Sequence, residues 1–188
     1  MTTLTAGQDR DRSAIAEEYK WNLADIYPDV AVWRAAKETT VRELPALRAY
    51  EGRLGSSAPA LADALDEMFR IDKEIARLSV YAAMLADQDT REAGPQGMQQ
   101  EMQQLAADLK AQTSYMEPEL LRIGLATLEQ FIDTEPRLQI YSFYLHDLVR
   151  RAKHTLTDSE EKILADAMPL AASGHNIYNI LKIGRAHV

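Results

Sequence analysis

At 188 residues the chain can bury a sizeable core, and 46% apolar and 27% charged residues are ordinary for a soluble globular protein. A net charge of −8 argues against a broad nucleic-acid footprint, which needs clustered Lys and Arg. With no cysteine, a disulfide scaffold and thiolate metal sites are excluded. No run of about 18 apolar residues exists, so no membrane-spanning helix is expected. The opening MTTLTAGQDRDR lacks the apolar centre of a signal peptide, and the expected location is cytoplasmic.

Residues 1–14 are polar and are expected to form a flexible N-terminus. The aromatic stretch 19–29 reads as irregular, and Asp29 can cap a helix starting near Val30. Trp33, Val41, Leu44 and Leu47 mark that helix, with Pro45 as a kink or break. Residues 51–59 form a Gly/Ser-rich connector, in which Ser57 can cap the next helix and Pro59 suits its first turn. Leu61, Leu65, Met68, Ile75, Leu78, Ala82 and Leu85 then recur at three- or four-residue steps, with Asp72 interrupting the register. After a turn at 87–97, Met98, Met102, Leu105, Leu109 and Met116 give a second stripe. The two spans, 58–90 and 96–116, are expected to pack as a long antiparallel helix hairpin. The methionines suit gap-filling core positions.

Shorter helices follow. Pro118 starts one, 128–132 forms another, and 137–151 a third, with Leu138, Tyr141, Leu145 and Leu148 inward. Thr157 and Glu160 make a capping box, and Asp158 sits in the first turn. No stretch alternates like a strand, so the fold class is all-α, a helical bundle built on the hairpin.

The residue chemistry assigns no catalytic, cofactor-binding or metal-ligating residue. A helical zinc peptidase uses HExxH, in which two histidines share a helix face and the Glu activates the metal-bound water. His146, His154, His175 and His187 are followed by Asp147, Thr155, Asn176 and Val188, so none starts that motif. His146 and His154 would stand roughly 12 Å apart along a continuous helix, too far to share one ion. A capping or packing role suits His154 better. The pairs Glu17–Glu18 and Glu160–Glu161 read as solvated helix charges, and the basic run 148–153 as a surface helix end rather than an anion site. No GxSxG or phosphate-binding loop is present.

Three stretches carry a resemblance. EEYKWNLADIYPDVAVW, through Trp21, Asn22, Leu23, Ile26, Tyr27, Pro28 and Trp33, resembles the opening of oligoendopeptidase F and its thimet-like zinc metallopeptidase relatives. Residues 78–90 resemble the family's long helix with its Asp-x-Asp-Thr turn. Residues 141–164 resemble its His-Thr-Leu-Ser-x-x-Glu-Glu segment, with Thr157 in the Ser position.

The resemblance implies that 15–182 form a helical N-terminal domain that helps to build a substrate channel for short peptides. It implies zinc for the full-length family, with HExxH in a downstream catalytic domain missing here. No zinc is expected to bind this chain specifically, and the chain alone is expected to be inactive. The alternative is a stand-alone, non-catalytic helical interaction module. Residues 183–188, IGRAHV, match one reading frame of a common sequencing adapter and are expected to be an artefactual tail. Ile177, Tyr178, Ile180 and Leu181 would then be a severed interface, prone to self-association or fraying. No nucleic-acid or membrane partner is expected.

Overall fold

The computed structural model describes residues 15–88, 92–152 and Gly174. Among the described residues every regular element is helical: α1 (Val30–Glu43), α2 (Ala58–Gln88), α3 (Ala93–Thr113), α4 (Met116–Ile123), α5 (Leu125–Thr134) and α6 (Ser142–Ala152). Single turns of 3-10 helix occupy Glu17–Tyr19 and Leu23–Asp25, and longer ones Leu44–Tyr50 and Pro136–Tyr141. The chain divides into two units, Met1–Leu145 and His146–Val188, and the division falls inside α6.

Within the first unit, α1 starts where Asp29 predicts. Its Oδ1 accepts the Val32 amide at 2.8 Å, replacing one bond that a helix start lacks. Of the apolar residues that mark this segment, Trp33, Leu44 and Leu47 are buried. Val41 is 46% exposed, and Thr40 takes the buried place beside Ala36. Burial of Thr40 is tolerated because its hydroxyl donates to the Ala36 carbonyl at 3.0 Å. Pro45 ends the α-helix and opens a 3-10 segment that buries Leu44 and Leu47.

Ser57 lies before α2 and its Oγ accepts the Ala60 amide at 3.3 Å. The α2 stripe buries Leu61, Leu65, Ile75, Leu78 and Ala82, and adds Ile71 and Tyr81. Met68 and Leu85 are partly buried. α2 packs most extensively against α3, whose Met98, Met102, Leu105 and Leu109 join the same core as Ile71, Ile75, Leu78 and Tyr81. Leu23, Tyr27 and Trp33 close that core from the N-terminal side.

The expected boundary at 116 moves. α3 stops at Thr113, and buried Met116 begins α4 rather than ending α3. α4 ends at Gly124, whose φ of 81° suits a residue without a Cβ, and α5 follows at once. The expected helix 137–151 is two pieces, a 3-10 turn and then α6. Leu138, Tyr141, Leu145 and Leu148 are buried as expected.

Several expectations lie outside the described residues. They are the flexible 1–14, Asp89 and Thr90 of the turn, His154, His175 and His187, the Thr157–Glu160 capping box with Asp158 and Glu161, Ile177, Tyr178, Ile180 and Leu181, and the tail 183–188.

Candidate functional site

The residues of the WNLADIYP stretch take up two different positions. Leu23 and Tyr27 are buried, whereas Trp21 is 54% exposed. Tyr27 donates its hydroxyl to Glu74 on α2 and meets Tyr81 edge-on at 5.5 Å. Arg77 lies over the Tyr27 ring, 4.4 Å from its centre, and donates to the Ile26 carbonyl. Burial, then the Glu74 hydrogen bond, push the Tyr27 phenol well above its ordinary range. Fully buried Trp33 donates its indole N–H to the Leu78 carbonyl at 2.9 Å. These residues act as pegs that fix the N-terminal segment and α1 onto α2.

A second polar anchor was not singled out from the sequence. Glu119 on α4 is 6% exposed, and its two carboxylate oxygens accept the amides of Gly52 and Leu54, each at 2.8 Å. That bidentate grip needs the chain to turn sharply, which Gly52 allows at φ 77°. A Glu following Pro118 in a first turn looks like an ordinary helix-start carboxylate, and only the Gly-x-Leu-Gly run of the connector hinted at a special turn. Nearby, Tyr115 donates its hydroxyl to the Leu47 carbonyl at 2.6 Å, and burial pushes its pKa up to about 12.

Grooves lie between these anchors. One, of about 420 Å³, runs along α1 past Val32, Ala35, Ala36, Thr39 and Thr40, with Glu43, Arg70 and Glu74 at its edge. Its charges are mutually satisfied: Arg70 bridges Glu43 and Glu67, both at 2.8 Å. Another, of about 530 Å³, is lined by Met68, Lys110, Thr113, Ser114, Glu117, Pro118 and Tyr144. A third, of about 330 Å³, is lined by Ala86, Asp87, Gln96, Gln99, Gln100 and Gln103. Such surfaces can bind; none presents a nucleophile oriented by a base.

The residues weighed from the sequence do not converge. Glu17 pairs with Lys20 at 2.6 Å, and Glu18 is exposed. Arg150 and Arg151 of the basic run both reach Asp147, at 2.6 and 2.8 Å, and hold its carboxyl below the usual range, Arg150 first. Among the described residues no three His, Cys, Asp or Glu side chains gather to hold a metal ion. Among them no helix is long and apolar enough to cross a membrane.

The family profile described as Oligopeptidase F matches residues 119–186. Oligopeptidase PepF of Bacillus subtilis is 32% identical over 94% of this chain, and the match covers 26% of that protein. Group B oligopeptidase PepB of Streptococcus agalactiae is 26% identical over 91% of this chain and 28% of its own length. Among solved structures, a putative peptidase from Chlamydophila abortus superposes with a TM-score of 0.70 at 26% identity, covering 92% of this chain and 29% of that one. Oligoendopeptidase-F from Enterococcus faecium shares the fold, with a TM-score of 0.67 at 23% identity over 81% of this chain and 30% of that one. The chain thus spans about a quarter of the length of the relatives it matches. Along nearly its whole length the chain is thus similar in sequence to part of proteins named oligopeptidase or oligoendopeptidase F, and similar in fold to part of a putative peptidase.

Proposed function

We propose that this chain is the N-terminal helical part of a metalloendopeptidase that hydrolyses oligopeptides. In this reading it lines part of the path by which short peptides reach an active site built elsewhere in a longer protein. It contributes binding surface and no bond-breaking group. The observation that carries the reading is the 32% identity to PepF over 94% of this chain, confined to 26% of that peptidase. The open, mixed-polarity grooves on α1 and between α3 and α4 support it, since an extended peptide needs such surfaces rather than a closed pocket. Zinc belongs to the longer protein in this reading. A cytoplasmic setting is part of the proposal, and the cysteine-free composition is compatible with it.

The test uses a quenched fluorescent oligopeptide with added zinc. The purified 188-residue chain should show no chelator-sensitive cleavage. A chimera carrying this chain in place of the matching region of the Bacillus subtilis PepF should cleave. Chelator-sensitive hydrolysis by the chain alone, or an inactive but folded chimera, would overturn the reading.

A further inference from the structure

Ile140 and Phe143 are 75% and 81% exposed. They stand three residues apart where the 3-10 segment runs into α6, so both project from one side of the same turn. The turn is firmly held. Leu138, Tyr141 and Leu145 beside them are buried, Arg137 reaches Asp63 at 2.7 Å and Asp66 at 3.2 Å, and Tyr141 donates to Asp66 at 2.6 Å. A rigid turn that offers two large apolar side chains to water marks an interaction surface.

Its size selects the kind of partner. The two side chains offer on the order of 300 Å². A stable pair of separate molecules buries about 800 Å² on each side, so this patch alone does not hold a second copy. A segment of the same polypeptide needs far less area, because its tether supplies a high effective concentration. The chain spans only 26% of the PepF relative, and the family match at 119–186 runs through this turn. Resting on the function proposed above, we infer that Ile140 and Phe143 are the docking point for an apolar surface in another part of the same, longer polypeptide.

The chain contains no cysteine, so Phe143→Cys places a single thiol on it. This variant is made in the 188-residue chain and in the PepF chimera, treated with a maleimide, and read at position 143 by peptide mass spectrometry. Labelling should be fast in the isolated chain at every protein concentration, and more than an order of magnitude slower in the chimera. Phe143→Asp should lower the melting temperature of the chimera and leave that of the isolated chain unchanged. Equally fast labelling in an active chimera overturns the docking point and leaves the functional reading standing. Labelling of the isolated chain that slows as concentration rises assigns the patch to a second copy and overturns the inference. An inactive, folded chimera removes the functional reading and the inference with it.

Discussion

Glu119 illustrates how one buried carboxylate can hold a connector. Its oxygens take two amides, of Gly52 and Leu54, that have no helix or strand to bond with. Glu119→Ala leaves both donors unsatisfied and should cost about 2–4 kcal/mol, measured by urea unfolding. Glu119→Gln keeps one carbonyl acceptor and should cost less. Equal losses in the two variants would show that packing, not hydrogen bonding, sets the effect. The phenols give a pH signature. Burial raises both Tyr115 and Tyr141 from 10.0 to about 12, with the Asp66 hydrogen bond second for Tyr141. A phenol whose folded pKa is raised adds stability that is complete below its unfolded pKa and is lost as pH climbs through the folded one. Unfolding free energy should therefore fall between pH 10 and about 12. Tyr141→Phe, read by chemical denaturation at stepped pH, should flatten that fall.

At the level of elements, α2 offers the sharpest contrast. Leu65 is fully buried, so Leu65→Ala should cost roughly 2–5 kcal/mol, whereas Val41→Ala on the exposed side of α1 should stay within about 0.5 kcal/mol. A large effect at Val41 would mean that its side chain packs inward. α2 was legible because its apolar steps persist over 31 residues, long enough for the 3.6 period to be unambiguous. The break between α3 and α4 was not. Met116 stands seven residues after Leu109, two helical turns, so it fits one continuing stripe as well as the start of a new helix. No glycine marks the break, because Ser114 and Tyr115 keep helical backbone angles through it. The 3-10 turn before α6 was hidden for a similar reason: Leu138 and Tyr141 are three apart, a step that suits either period. Thr40, not its more apolar neighbour Val41, is the buried one of the pair. Thr40 can be buried only through its own back-bond to Ala36, which composition does not reveal.

For the whole molecule, the fold class could be read from periodicity, whereas the groove geometry could not. Residues that line the 530 Å³ groove come from α2, α3, α4 and α6, and no local spacing links Met68 to Tyr144. The described residues supply no cluster able to hold a divalent ion. If the rest of the chain likewise holds no such cluster, zinc or a chelator should leave the thermal midpoint of the 188-residue chain unchanged in differential scanning fluorimetry. A saturable rise of roughly 5–10 °C, the scale expected for ligand at a hundredfold excess over its dissociation constant, would reveal a metal site within the chain.

The pegging of the N-terminal segment onto α2 also bears on how the protein is made. Trp33 finds its carbonyl partner 45 residues later, at Leu78, and Tyr27 finds Glu74 47 residues later. At translation speeds of about 5–20 residues per second, the segment waits roughly 2–9 s after Trp33 is made before Leu78 is even synthesised. Further time passes until α2 clears the ribosomal tunnel. From the time they have themselves cleared the tunnel until α2 follows, Trp33, Leu23 and Tyr27 lack their partners on the nascent chain. The stretch from Leu23 to Trp33 is therefore the one a ribosome-bound chaperone would hold, and release should coincide with the emergence of the second half of α2.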